Sequence, residues 1–332
     1  MKGYQQFLSQ AAAFIGGHDR FLLVNHVNPD GDATASMLAM GLILKKLGKE
    51  AVMVNEGATP RKFSFLSGYA DIINASLIQS DEKFTAIITC DCGDFSRVGK
   101  VAQWFAEGYE LLNIDHHPTN DSFGTVNLVR TNASATAEVI YDLTKELNFP
   151  LFPELAMCIY TGLMTDTGGF RYSNTTSYVM NIASELLVHQ VRPDYIADRV
   201  LESITRAHLA LLKRALPTLE FEAGDRMASL TVTHQDMVET GALSEDLDGI
   251  VHYAKNLEGI EVGILYKEKE DGSVKVSLRS REYINVAEIA LSLGGGGHIR
   301  AAGCTIHGTI KEANNIINEK LNEAFLRQEE GE

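Results

Sequence analysis

The sequence predicts an α/β protein whose first domain is a mostly parallel sheet with helices on both faces. Two observations carry this expectation. From Arg20 to about Asp121, short apolar runs alternate with helical patterns, the arrangement left by strands joined through crossover helices. The runs are unbroken rather than alternating, as strands buried on both faces require.

Phe7, Ala11, Phe14 and Ile15 fall at helical spacing. Ser9 and Gln10 interrupt the apolar stretch, so Phe7 to Ile15 reads as an amphipathic helix and not as a secretory core. Strands are expected at Phe21 to Val24, Ala51 to Val54, Ala86 to Cys90 and Leu111 to Ile114, with a helix from about Ala33 to Leu47. A second helical region runs from about Ser134 to Val188. A polar stretch holding Arg192, Pro193, Asp194, Arg206 and His208 then leads to Leu219 as a linker of helical character. Beyond it, Ala228 to Val232, Glu261 to Tyr266 and Val274 to Leu278 read as strands, with Asp271 and Gly272 turning between the last two. Gly294 to Gly297 and His298 form a loop, and a closing helix frays into the acidic tail Glu329 to Glu332. The expected division is residues 1–192, a linker at 193–218, and a smaller α/β domain at 219–332.

Composition narrows the function classes. No stretch approaches the roughly 18 apolar residues that span a bilayer, so no membrane span is expected. Cys90, Cys92, Cys158 and Cys304 are scattered over 332 residues, which fits a reducing, cytoplasmic setting better than a disulfide framework. Cys90 and Cys92 lack C-x-x-C spacing and read as buried small side chains. The formal charge of -15 disfavours binding to long DNA or RNA, whose affinity comes from Lys and Arg neutralising phosphates.

Four polar clusters follow four of the apolar segments, where open α/β sheets collect ligands. The first is Asn25-His26-Val27-Asn28-Pro29-Asp30-Gly31-Asp32-Ala33. Here Gly31 is expected to relieve crowding between two carboxylates, and Asp32 is a candidate cap of the following helix. The second is Thr89-Cys90-Asp91-Cys92-Gly93-Asp94, the third Asn113-Ile114-Asp115-His116-His117-Pro118, and the fourth, at a helix end, Leu163-Met164-Thr165-Asp166-Thr167-Gly168-Gly169. Carboxylate oxygens and imidazoles suit Mn or Mg better than thiolates would. That much negative charge gathered at one sheet edge is costly unless cations bind there. Asp94 and Arg97 are within reach of such a site, although a helix start explains them equally well. The small polar segment Thr131 to Thr136 reads either as site lining or as a helix N-terminus. The glycine run lacks the Gly-Lys-Ser/Thr ending of an NTP-binding loop.

The ordered set H-x-x-P-D-G-D-A, an Asp after a later strand, D-H-H and a downstream Asp resembles the four motifs of the DHH phosphoesterase family. Gly294 to His298, with Arg279 and Ser280, resembles the companion DHHA1 substrate-binding domain. Together the motifs span most of the chain. The resemblance implies a DHH catalytic domain and a DHHA1 domain with the active site in the cleft between them. It implies one divalent metal held by His26, Asp30 and Asp91, and a second held by Asp32, Asp91, His116 and Asp166. His117 would face the substrate phosphate, with Asp91 and Asp115 completing the catalytic group and Asp115 orienting a histidine. Arg279, Ser280, Gly296, Gly297 and His298 would contact substrate. Mn²⁺ is the expected metal, with Mg²⁺ or Co²⁺ as alternatives, and two such ions activate water and neutralise charge on the phosphate.

Within the family the chain resembles the nanoRNase and pAp phosphatase group. Short RNA oligonucleotides and adenosine 3′,5′-bisphosphate are therefore the expected substrates, with cyclic or linear dinucleotides as the alternative. Inorganic pyrophosphatase ranks lower because its second domain lacks the G-G-G-G-H ending, and a nucleotide-binding sensor without activity is disfavoured by the intact ligand set. Oligomeric state is open, a homodimer being compatible with the sequence.

Overall fold

The computed structural model describes residues 2–78 and 81–330, and the chain divides after Ser203 into two units. The first contains α1 (Lys2–Gly17), β1 (Arg20–Asn25), α2 (Gly31–Lys46), β2 (Glu50–Asn55), β3 (Ile73–Asn74), β4 (Phe84–Cys90), β5 (Phe105–Asp115) and β6 (Val126–Val129). It continues with α3 (Thr136–Glu146), α4 (Pro153–Asp166), α5 (Ser177–Val188) and α6 (Pro193–Ala197). The strands align in the order β3-β2-β1-β4-β5-β6, and every pairing is parallel. Strand β6 was not anticipated. Its run Val126-Asn127-Leu128-Val129 is short and broken by Asn127, and only Leu128 is buried.

The unbroken apolar runs have the expected physical cause. Phe21 and Leu23 of β1 enter a core shared with α1 to α5. Leu22 and Val24 enter another with Val98, Val101 and Trp104, which lie on a 3-10 stretch from Phe95 to Trp104. The α-helices thus cover one face, and this shorter 3-10 layer helps cover the other. Each large apolar side chain so buried contributes about 1.5–3 kcal/mol. In α1 the spacing rule misplaces one residue: Phe7 is 41% exposed, and Leu8 packs inward beside Ala11, Phe14 and Ile15.

Chain order sets the position of the site. From β1 the chain moves outward to β2 and β3, then returns to the other side of β1 to form β4, β5 and β6. The direction of winding reverses between β1 and β4, and such a reversal opens a crevice beyond the carboxyl ends of the two strands. Helix α2 starts in that crevice and is buried from Gly31 to Gly41 without a break, because the sheet lies on one side and α3 and α4 lie on the other. A helix buried all round presents its first turn as a rigid platform.

The second unit contains α7 (Arg206–Ala215), β7 (Glu220–Glu222), β8 (Met227–Val232), α8 (His234–Thr240), α9 (Ile250–Lys255), β9 (Val262–Glu268) and β10 (Ser273–Ser280). It ends with α10 (Val286–Ser292), β11 (Gly296–His298), β12 (Ala301–His307) and α11 (Ile310–Glu330). Its sheet has the order β11-β12-β10-β9-β8-β7, antiparallel except for β8 with β9. One face packs on α10 and α11, the other on α7 and α9. The turn at Asp271 and Gly272 forms as expected, with Gly272 at φ 76° and Asp271 accepting from the Ser273 amide at 2.9 Å. The closing helix continues to Glu330, and the last two residues lie outside the described part.

The glycine run corrects one expectation. His298 lies on an edge strand, not on a loop: Gly296, Gly297 and His298 pair with Gly303, Ala302 and Ala301. A Cβ on Gly295 would stand 2.1 Å from the Gly303 carbonyl oxygen, and one on Gly297 2.5 Å from that of Ala301. The close backbone approach that these glycines allow is to strand β12 of the same sheet.

Candidate active site

Asp91 is the centre of the site. It follows β4 directly, is buried, and has a left-handed backbone at φ 63°, a conformation that Asp and Asn accept more readily than other side chains. Its amide donates to the Ile114 carbonyl at 2.9 Å, which ties the end of β4 to the end of β5. Three imidazole nitrogens surround its carboxylate, His26 Nε2, His116 Nε2 and His117 Nδ1, each at 3.6 Å. His116 Nε2 also lies 3.3 Å from Asp166, at the end of α4.

The histidines are aimed by their other nitrogens. His26 Nδ1 meets the Val27 carbonyl at 2.9 Å, and His116 Nδ1 meets the Ala133 carbonyl at 3.1 Å. A carbonyl only accepts, so each Nδ1 carries a proton, and each Nε2 is the atom left facing Asp91. Imidazole nitrogens 3.3–3.6 Å from carboxylate oxygens are at the separation of two ligands of one cation. Donors sharing a cation at roughly 2.1 Å stand roughly 3.0–3.6 Å apart. The spacing and the chemistry of this donor set therefore suit divalent ions. Donor atoms of His26, Asp30 and Asp91 lie within 4.8 Å of one another, as do those of Asp32, Asp91 and His116.

The carboxylates lead to the same conclusion. Burial pushes Asp32 well above the usual range, and the charges of Asp91 and Asp166 add to the rise. Burial acts likewise on Asp166, with Asp30 and Asp91 adding to it. Burial alone would raise Asp91 too, but the His26, His117 and His116 imidazoles hold it well below the usual range. Without added positive charge this group of acids does not ionise together.

His117 differs from its neighbour. Its Nδ1 meets Asp115 Oδ1 at 2.8 Å, and Asp115 is held through its other oxygen by the Asn120 amide at 2.6 Å. Burial opposes protonation of His117, but the Asp115 hydrogen bond and the Asp91 charge raise it to about 9. The ring therefore carries a proton at neutral pH while Asp115 fixes its orientation. Asn120, absent from the sequence expectations, also bonds the Cys92 carbonyl and so locks the Asp-His-His turn against the end of β4. The Cys90 and Cys92 thiols are pushed well above their usual value by burial first, which keeps them as packing groups.

Two local readings change. The cap of α2 is Asp30, whose carboxylate accepts from the Ala33 amide at 3.1 Å. Asp32 caps another helix: it accepts from the Thr136 and Ala137 amides at 2.6 and 3.1 Å, at the start of α3. Gly31 serves the approach of α4, since a Cβ there would stand 2.3 Å from the Thr165 side chain. The segment Thr131 to Thr136 is both site lining and a helix N-terminus. Asp94 caps the 3-10 stretch through the Ser96 amide, so the helix-start reading holds for it. Gly162 lets α4 pass close to both Asp32 and α3, because a Cβ would stand 2.6 Å from Asp32 Oδ1 and 2.6 Å from Ala137 Cβ. Gly162→Ala is expected to destabilise the unit by about 1–3 kcal/mol and to weaken metal binding. A thermal melt and a Mn²⁺ titration measure the two effects, and an unchanged melt would contradict the packing.

In the second unit, Arg279 and His298 both pair with Ala301. Directly opposed residues share a face, so they flank a single methyl group, two strand spacings or roughly 10 Å apart. Ser280 is not brought into this row. It is buried and, by strand alternation, points to the opposite face, where its hydroxyl meets the Ile299 carbonyl at 3.4 Å.

A parallel sheet whose winding reverses at a pocket of buried acids and imidazoles is the build of a phosphoester hydrolase. The chain belongs to the DHH phosphoesterase family: the DHH family N-terminal domain matches residues 20–163, and the DHHA1 domain matches residues 228–325. A Thermus thermophilus protein named bifunctional oligoribonuclease and PAP phosphatase NrnA is 36% identical to it, over 92% of this chain and 90% of that one. The Bacillus subtilis protein of the same name is 27% identical over 90% of this chain and 93% of that one. Among solved structures, an exopolyphosphatase-related protein from Bacteroides fragilis superposes with a TM-score of 0.87 at 25% identity, covering 96% of both chains.

Proposed function

We propose that the chain hydrolyses short oligoribonucleotides to mononucleotides and adenosine 3′,5′-bisphosphate to AMP, using two divalent ions. The observation that carries this reading is the Asp91 carboxylate ringed at 3.6 Å by imidazole nitrogens, and the names of the relatives at 36% and 27% identity supply the substrate class. His26, Asp30 and Asp91 would hold one ion, and Asp32, Asp91, His116 and Asp166 the other. Oxygen and imidazole donors favour Mn²⁺ over softer metals. Bound there, the pair would supply a lowered pKa for water and a counter-charge for the phosphate. His117, its Nδ1 held by Asp115, would donate through its other nitrogen to a phosphate oxygen. Arg279 and His298 bind a phosphate of the same substrate, Arg279 through its planar guanidinium. The cyclic-dinucleotide alternative gains no support from the relatives. Among the described residues no helix is long and apolar enough to cross a membrane, and four buried free thiols accord with a reducing cytoplasm.

Product analysis tests the reading: the Mn²⁺-loaded protein is expected to release AMP from adenosine 3′,5′-bisphosphate and mononucleotides from a 5′-phosphorylated diribonucleotide. Turnover of cyclic di-AMP alone or of pyrophosphate alone would overturn the substrate assignment. Arg279→Ala and His298→Ala are each expected to raise KM for these substrates roughly 10- to 100-fold, the scale of a lost charge-assisted hydrogen bond. Initial-rate kinetics showing an unchanged KM would remove these residues from the binding site.

A further inference from the structure

Thr136 ties two acids of the metal centre, Asp91 and Asp32, to the start of α3, although the sequence marks it only as part of a small polar segment. It opens α3 and is fully buried. Its hydroxyl donates to Asp91 Oδ1 at 2.8 Å, and its amide donates to Asp32 Oδ2 at 2.6 Å. Three residues earlier, the Ala133 carbonyl aims His116. Glu138, Arg130 and Asn174 brace this segment, and Asn174 also donates to the Asp166 carbonyl at 3.1 Å. The Ser134 amide donates to Glu138 at 2.8 Å, Glu138 pairs with Arg130 at 3.0 Å, and the Asn174 amide donates to the Ser134 carbonyl at 3.2 Å.

We infer that Thr136 is a positioning residue for the Asp91 carboxylate, its hydroxyl fixing that carboxylate's rotation so that the remaining lone pairs face both cation positions. The inference rests on the two-metal reading above. An oxygen of an ionised carboxylate accepts through more than one lone pair. The hydroxyl occupies one direction on Oδ1 and leaves the histidine-facing side open. Partners that orient ligands in this way typically affect metal affinity by 10- to 100-fold.

Valine matches the shape of threonine without its hydroxyl, and serine keeps the hydroxyl without the methyl. Thr136→Val is therefore expected to weaken Mn²⁺ binding to the metal-stripped protein by about 10- to 100-fold, read by calorimetry or by the EPR signal of free Mn²⁺. At saturating Mn²⁺ its kcat for adenosine 3′,5′-bisphosphate should fall while KM stays within about twofold. Thr136→Ser should recover both quantities to within about threefold of the natural protein. Melting in EDTA reports folding, and Thr136→Ala serves as the hydroxyl-free variant if Val does not fold. Natural-protein affinity in Thr136→Val overturns the inference, as does a Thr136→Ser variant as defective as Val, which would assign the effect to the methyl group. A natural protein that binds no Mn²⁺ would refute the metal-centre reading itself and the inference with it, and calorimetry on that protein separates this outcome from the others.

Discussion

Asp91→Asn is expected to reduce turnover by at least about 10³-fold, the loss of several kcal/mol of transition-state charge stabilisation, and to bind at most one Mn²⁺ per chain. Asparagine suits the test because residue 91 sits at φ 63°, where Asn is tolerated and Ala is strained. The amide keeps the shape, the Ile114 backbone bond and a group able to accept from Thr136. What it lacks is the negative charge facing His26, His116 and His117 at 3.6 Å. In the proposed assignment Asp91 is the one residue shared by both ions, so its neutralisation weakens both positions at once. Asp115→Asn should cost less, because Asp115 acts through His117. Steady-state rates and Mn²⁺ stoichiometry on the folded variant decide the matter. An Asp91→Asn protein within tenfold of natural activity would remove the residue from the centre of the chemistry.

Much of this site was legible in the sequence because chemistry and topology coincide there. Asp, His and Gly directly after apolar runs stand at strand ends in any parallel sheet, and winding reversal decides which ends meet. The four clusters containing Asp30 and Asp32, Asp91, Asp115 to His117, and Asp166 could thus be read without coordinates. Residues acting across the fold were not. Asp32 caps a helix more than 100 residues away, a partnership that leaves no local trace, whereas the nearer cap, Asp30, looks identical in sequence. Asn120 resembles a turn residue until its bonds to Asp115 and Cys92 are seen. Gly31 and Gly162 answer to the path of neighbouring helices, and the glycines before His298 answer to β12. Sequence spacing reports which face of an element a residue occupies; which neighbour it meets there is a tertiary fact.

The metal-free protein is expected to lose stability as pH rises from about 6.5 to 9, and Mn²⁺ should abolish that loss. Folding raises His117 from 6.5 to about 9, so its protonated form contributes stability that is fully present below pH 6.5 and disappears as pH passes through 9. Integrated over that shift, the contribution is about 3 kcal/mol, or roughly 6–12 °C in Tm for a unit of this size. Asp32 and Asp166 carry the same sign wherever they titrate above the usual carboxylate range. Their carboxyls are held above the usual range by burial and by neighbouring acids, so ionising them opposes folding, and lowering the pH relieves the conflict. Asp91, held low, stays ionised throughout this window and adds no slope. Bound cations would replace the missing protons as counter-charge, and because metal binding releases protons, the gain from Mn²⁺ should grow as pH rises. Melting curves in EDTA and in Mn²⁺ between pH 6 and 9.5 measure both slopes. A metal-free Tm that is flat or rising over this range would show that protonated His117, paired with Asp115, does not stabilise the fold.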